Sequence, residues 1–266
     1  MHGKVLIIAG SDSGGGAGIQ ADIKTVTALG GFAMTAITAL TAQNTQGVSE
    51  IYNLPAKFIA EQIKVVLSDI GADTIKIGML SHPEIVEVVA DTLAQEAPDV
   101  PKIVDPVMVA KGGASLLSEE AVDSLKTLIM PQALVLTPNI PEAETLAEMN
   151  APGVENAEDL ARALSMMGPR AILLKGGHRG GQEIVDLLME KKKVRNIYKS
   201  TRIDTVHTHG TGCTLSSALA VGIAQGLTLS NSVERAINYV QEAIRTAPAY
   251  GRGHGPLNHS HTCNRS

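Results

Sequence analysis

Val5-Leu-Ile-Ile-Ala9, running directly into Gly10-Ser-Asp-Ser-Gly-Gly-Gly-Ala-Gly18, joins five consecutive apolar residues to a nine-residue turn in which five are glycine. Five apolar residues bounded by glycine are too few for a buried helix and read as a strand. Apolar on both of its faces, such a strand must be covered on both sides, as strands are in a parallel sheet clothed by helices. Its carboxyl end, where the glycines lie, is where open α/β sheets bind ligands.

The same alternation continues outward. Strand-like runs are Ala33–Leu40, Thr74–Ile77, Ile103–Val104, Leu134–Leu136 and Ala171–Leu174. They alternate with helix-like stretches at Ala56–Ile70, Glu84–Gln95, Glu119–Ile129 and Glu158–Met167, with Ser118 and Asn156 as expected N-caps. Ile184–Met189 and Val194–Tyr198 flank Glu190-Lys191-Lys192-Lys193, which reads as a solvated hairpin turn at a sheet edge. Helices follow at Cys213–Gln225 and Ser230–Thr246, and the Gly-, His- and Asn-rich tail from 249 to 266 is expected to be loosely ordered. The expected fold is α/β: three layers, a mostly parallel central sheet, helices on both faces and an edge hairpin, in one domain over residues 1–266.

Composition narrows the function. Of 266 residues 44% are hydrophobic but only 2% aromatic, with two Phe, four Tyr and no Trp, so the core must be aliphatic. A net charge of −5 and so few aromatics exclude a nucleic-acid reader built on stacking and a basic face. Cys213 and Cys263 are the two cysteines, with no C-x-x-C pair, so neither a disulfide framework nor a cysteine zinc site is indicated. No apolar stretch approaches the ~20 residues of a membrane span, and the expected location is cytoplasmic. The tail histidines His254, His259 and His261 read as solvated rather than as a metal site.

Three glycine clusters stand at strand ends or helix starts: Gly10–Gly18, Gly176-Gly177, and Gly210-Thr211-Gly212. The first contains a formal G-x-G-x-x-A, but a dinucleotide site also wants an acid about 20 residues on, and Thr41, Ala42 and Gln43 stand there. A Walker A loop is absent. Gly210-Thr211-Gly212-Cys213 is the better anion device, because amides opening a helix point at an anion with the helix dipole behind them. At that position the Cys213 thiol is expected to have a lowered pKa; the alternative is a small buried hydrophobe.

These residues carry a family resemblance. Ala9-Gly-Ser-Asp-Ser-Gly-Gly-Gly-Ala-Gly-Ile-Gln-Ala-Asp-Ile-Lys-Thr25 resembles the opening of bacterial hydroxymethylpyrimidine/phosphomethylpyrimidine kinases, ribokinase-like enzymes of thiamine biosynthesis. Ala39–Thr45, Ile75–Leu80, Val104–Met108, Thr137–Glu142, Leu174–His178 and His207–Thr214 look like that family in its order, with Gly14 a departure where the family often has Ser. The resemblance implies an ATP- and Mg²⁺-dependent kinase acting on a small aminopyrimidine, and a homodimer. It implies that Gly210, Thr211, Gly212 and Cys213 form the catalytic anion hole for the migrating phosphoryl group, and that Cys213 faces the hydroxymethyl group, either as the base or to orient the hydroxyl. It assigns the substrate to Gly10, Asp22, Gln43, Met79 and Val107, ATP to Asn139, Lys175 and Thr208, and the metal to Asp105 and Glu142. From spacing alone, Glu142 reads first as a first-turn helix acid, and Lys175 equally as a strand-end lysine reaching for water. Pyridoxal kinases of the cysteine type are the alternative activity, and a non-catalytic pyrimidine sensor is the alternative class. Gly112-Gly113 and the loop after Lys175 are expected to close over the substrate. With no aromatic at a strand end, the ring is expected to lie between Val107 and Met79 with Gln43 at its edge, and neither Phe32 nor Tyr52 against it.

Overall fold

In the computed structural model, which describes residues 1–109, 113, 116–149, 156–177 and 181–263, the opening run is β1 (Lys4–Asp12), and its glycine turn leads into α1 (Gly18–Ala28). The chain continues through β2 (Phe32–Asn44), β3 (Gly47–Asn53), α2 (Ala56–Asp69), β4 (Thr74–Ile77), α3 (Pro83–Glu96) and β5 (Lys102–Val104). Next come α4 (Glu119–Ser124), extended by a π-helical turn over Leu125–Ile129, then β6 (Val135–Leu136), α5 (Ile140–Ala147), α6 (Ala157–Ser165) and β7 (Ala171–Leu174). A hairpin of β8 (Glu183–Glu190) and β9 (Lys193–Thr201) precedes α7 (Thr211–Ala224) and α8 (Leu229–Arg245). Among the described residues the strands form one sheet in the order β3-β2-β1-β4-β5-β6-β7-β8-β9. β2 through β7 in that order are parallel, while β3 at one edge and the β8–β9 hairpin at the other run antiparallel.

Alternation along the strands divides the core in two. Leu6 and Ile8 of β1 pack into one aliphatic layer with residues of α2, α3, α5 and α6, whereas Val5, Ile7 and Ala9 pack into a second with α7 and α8. Among the described residues Tyr239 is the only Phe or Tyr in the buried core, as the aliphatic composition requires.

The sequence reading passes over three elements for identifiable reasons. α1 contains Gly18, Thr25 and Thr27, poor helix formers that hide its pattern. β3 is an edge strand with Ser49 and Glu50 exposed, so it lacks an apolar run. α5 opens on Asn139 with a proline inside its first turn, and its start is masked by that motif. Of the two expected caps, the Ser118 side chain accepts from the Ala121 amide, while Asn156 occupies its position without capping through its side chain.

The tail departs from expectation through residue 263. The His254 amide donates to the Thr45 carbonyl at 2.7 Å, His209 pairs with Pro256, the Asn258 amide donates to the Ala243 carbonyl, and Leu257 is buried. Its glycines suit this path: a Cβ on Gly253 would stand 2.1 Å from the Thr45 carbonyl oxygen. Polar composition conceals such a segment because its contacts are made mostly by backbone.

Candidate active site

At the carboxyl ends of the parallel strands lies a cleft of about 1220 Å³, lined by Gly10, Gln43, Met79, Asp105, Val107, Asn139, Glu142, Lys175, Thr208, Gly210, Thr211, Gly212 and Cys213. No Phe or Tyr is among its described lining residues. Both sheet irregularities near β1 fall at this end, one between Ala9 and Ser11 and one between Ala42 and Gln43; bulges of this kind re-aim side chains at a site.

Two loops meet across the cleft because glycines let them. Gly210 has φ +83°, and a Cβ there would lie 1.8 Å from the Gly16 carbonyl oxygen. A Cβ on Gly16 would stand 2.4 Å from the His209 ring. Asp12 organises the contact: its carboxylate accepts from the amides of Gly14, Gly16 and Ala17 at 2.8, 3.0 and 2.8 Å, and lies 2.9 Å from His209 Nε2. Burial pushes the Asp12 carboxyl up, but these hydrogen bonds more than offset it and hold the group below the usual carboxylate value. At Gly14, an added Cβ would lie 3.1 Å from Asp12 Oδ1, so the residue leaves room for a serine only after a small shift.

The opposite wall gathers charge. Lys175 Nζ donates to Asp105 Oδ1 at 2.9 Å and lies 4.0 Å from Glu142 Oε2. Thr137 Oγ1 donates to the same Asp105 oxygen at 3.2 Å. A Cβ on Gly212 would stand 3.3 Å from both Asp105 Oδ2 and Lys175 Nζ, so the start of α7 lies against this pair. Burial would lower Lys175, yet Asp105 and Glu142 raise it above the ordinary lysine value, and it is held charged. Asn139 and Glu142 form a reciprocal capping box at the start of α5: the Asn139 side chain accepts from the Glu142 amide at 2.9 Å, and Glu142 Oε2 accepts from the Asn139 amide at 2.8 Å. Burial, against the pull of Lys175, pushes the Glu142 carboxyl up to about 7.

Cys213 stands in the first turn of α7, half-buried at the cleft wall. The expectation of a lowered pKa fails. Burial pushes the thiol up to about 12, with Lys76 and a backbone hydrogen bond from Gly18 offsetting only part of the rise. The surrounding protein desolvates a thiolate more than one helix start stabilises it.

Asp22, expected among the substrate contacts, is fully buried and does not line the cleft. Its carboxylate receives Lys76 Nζ at 2.9 Å and Ser217 Oγ at 2.7 Å. Gly112 and the loop residues 178–180, within the segments expected to close, lie outside the described residues, as does His178 of the Leu174–His178 motif.

A family model described as phosphomethylpyrimidine kinase matches residues 12–258. The chain belongs to the phosphomethylpyrimidine kinase family. It is 46% identical to the hydroxymethylpyrimidine/phosphomethylpyrimidine kinase of Bacillus subtilis, covering 96% of this chain and 94% of that one. It is 49% identical to the thiamine biosynthesis bifunctional protein ThiED of Geobacter sulfurreducens, covering 97% of this chain and 52% of that longer protein. The crystal structure of phosphomethylpyrimidine kinase from Clostridium difficile 630 matches with a TM-score of 0.80 at 41% identity, covering 91% of this chain and 99% of that one. Bacillus subtilis pyridoxal kinase, solved as an ADP complex, matches with a TM-score of 0.89 at 31% identity, covering 98% of each.

Within this kinase family's fold, the sequence reading missed two features of the site. Asp12 looked like one more residue of a glycine turn, and its role as hub depends on His209, 197 positions away. Lys76 lines the cleft floor, fully buried; its signal was a lysine inside an otherwise apolar strand, Ile75-Lys-Ile77.

Proposed function

We propose that this chain phosphorylates 4-amino-5-hydroxymethyl-2-methylpyrimidine with ATP, and then its monophosphate to the diphosphate, in thiamine biosynthesis. The observation that carries the reading is one cleft holding both the Gln43 amide and the glycine-rich start of α7 with Cys213. Gly10, Met79 and Val107 receive the ring, Gln43 reads its edge, and Lys76, ion-paired behind the cleft to the buried Asp22, lies beneath Cys213. Asn139, Lys175 and Thr208 attend the ATP phosphates. Asp105 and Glu142 are hard oxygen donors of the kind Mg²⁺ takes alongside phosphates and water. Bound by them, Mg²⁺ would neutralise phosphate oxygens.

The bond from the hydroxymethyl oxygen to the γ-phosphorus forms as the bond to the β–γ bridging oxygen breaks, and ADP leaves. The amides of Gly212 and Cys213, orphaned at a helix start, face the charge on the migrating phosphoryl group. Burial pushes the Cys213 thiol up to about 12, which keeps it neutral at pH 7 and favours orienting the hydroxyl over acting as a resting thiolate base. The hydroxyl proton leaves late, as a loose transition state permits, passing to a phosphoryl oxygen of the product and from there to water.

Incubation of purified protein with ATP, Mg²⁺ and either the pyrimidine, its monophosphate or pyridoxal tests the reading; transfer to pyridoxal alone would sink it. That second reading is favoured by the higher TM-score to pyridoxal kinase, against the lower sequence identity. We further propose, from the family resemblance, a cytoplasmic homodimer. No described helix is long and apolar enough to cross a membrane, and exposed Tyr52, Phe58 and Val65 on β3 and α2 supply apolar surface for a second copy. Sedimentation equilibrium measures that stoichiometry.

A further inference from the structure

The Gln43 amide has two chemically distinct ends of the same shape, and its neighbours allow one placement. His209 Nε2 lies 2.9 Å from Asp12 Oδ2 and 3.3 Å from the end of that amide placed as nitrogen. Asp12 is ionised, since three backbone amides donate to its two oxygens. A carboxylate at that distance claims the proton on Nε2, so Nε2 presents an N–H to Gln43 as well. The amide end facing His209 must therefore be the acceptor, the carbonyl oxygen. At the other end Thr41 Oγ1 lies 3.0 Å away. Its single proton goes to the Ser11 carbonyl oxygen, also at 3.0 Å, so Thr41 accepts from the Gln43 NH₂. Every donor then has an acceptor, and the polarity runs in one direction from Gln43 through Thr41 to Ser11. The opposite placement sets the Gln43 NH₂ against a protonated Nε2, with no acceptor between them.

We propose that Asp12 and His209, with Thr41 opposite, are positioning residues that lock the Gln43 carbonyl oxygen toward His209 and so select a ring bearing an amino group beside an unprotonated ring nitrogen. The inference rests on the reading that Gln43 meets the pyrimidine edge. Locked in this way, the amide keeps one acceptor site and one N–H for the ligand. The exocyclic amino group donates to the first, and the neighbouring ring nitrogen accepts from the second. A 4-oxo analogue reverses both, presenting a carbonyl beside a protonated nitrogen. Turning the ring over does not compensate, because the hydroxymethyl group on the adjacent carbon must still reach Cys213.

The test compares kcat/KM for the amino substrate and its 4-oxo analogue in wild type, His209→Met, Thr41→Val, His209→Gln and Gln43→Ala. Wild type should prefer the amino compound by at least about 100-fold, as expected when a site's buried polar groups are mismatched. In His209→Met and Thr41→Val the amide is free to rotate. KM for the amino substrate should rise about tenfold, the scale of one lost hydrogen bond, while turnover of the oxo analogue increases and KM for ATP holds. His209→Gln, which returns an N–H near the position of Nε2, should restore the preference. An unchanged preference in both loosened variants overturns the proposal, as does a rise in KM for ATP in step with that for the pyrimidine, which general loosening of the loop would produce. Gln43→Ala separates the two levels: unchanged KM for the amino substrate refutes the contact itself, and the positioning with it, whereas a raised KM beside an unchanged preference in His209→Met refutes the positioning alone.

Discussion

At the scale of single residues, burial overrides local motif. Cys213 has the address of an activated thiol, a glycine-flanked helix start, yet its pKa is pushed up to about 12 because a thiolate there would be desolvated. Alkylation by iodoacetamide should therefore be slow at neutral pH and rise about tenfold per pH unit with no plateau up to about pH 9; a plateau near neutrality would mean an activated thiolate. Cys213→Ser keeps a hydrogen-bonding group and should retain turnover within about tenfold, whereas Cys213→Ala loses the orientation of the hydroxyl and about 100-fold in kcat. Glu142 gives the second residue-scale expectation. Its carboxyl is pushed by burial from the ordinary 4.5 up to about 7. A group that binds its proton more tightly when folded makes the folded state lose stability as pH rises between those values. Chemical denaturation of the ligand-free protein should show that decline, and Glu142→Gln should flatten it while keeping the capping box, which glutamine also forms.

Between elements, the buried Lys76–Asp22–Ser217 contact fastens β4, α1 and α7 beneath the cleft. Lys76 and Asp22 are both fully buried and 2.9 Å apart. Ser217 sits one turn beyond Cys213 on α7 and donates to the second Asp22 oxygen. Removing one ion from such a pair leaves the other desolvated and alone, at a cost of about 3–5 kcal/mol. Lys76→Met should lower the urea midpoint accordingly, and Lys76→Met combined with Asp22→Leu should recover most of the loss, since an apolar pair leaves no stranded charge. If the double variant is no more stable than the single, the pair stabilises by more than charge compensation. Because the start of α7 is the proposed anion hole, Lys76→Met should also reduce kcat, and thermal melts in the same preparations separate that effect from unfolding.

Across the whole molecule, what could be read in advance follows from where side chains lie. β7 was legible to the residue because a strand buried on both faces is written as an unbroken apolar run, and β4 was legible despite Lys76, from the isoleucines on either side of it. β3 and α1 were not, one being a half-exposed edge and the other opening among glycines. Most residues singled out for the site do line one cleft, because motif glycines and strand ends are local signals. Asp12–His209, Asp22–Lys76 and the path of the tail are made by residues far apart in the chain, and no local pattern marks them. The tail shows what such contacts accomplish. The Gly255 carbonyl accepts the His209 amide at 3.1 Å, the His254 amide holds Thr45 just beyond Gln43, and Leu257 is buried. Truncation after Pro248 removes all three. Exposing the site of one large aliphatic side chain costs about 2 kcal/mol or more, so the thermal midpoint should fall by roughly 5 °C or more. The lost supports lie on the Gln43 and His209 side of the cleft and not on the Lys175 side. KM for the pyrimidine should therefore rise several-fold more than KM for ATP, measured below the lowered midpoint. Equal changes in the two constants would mean that the tail supports the fold at large rather than the substrate half of the cleft.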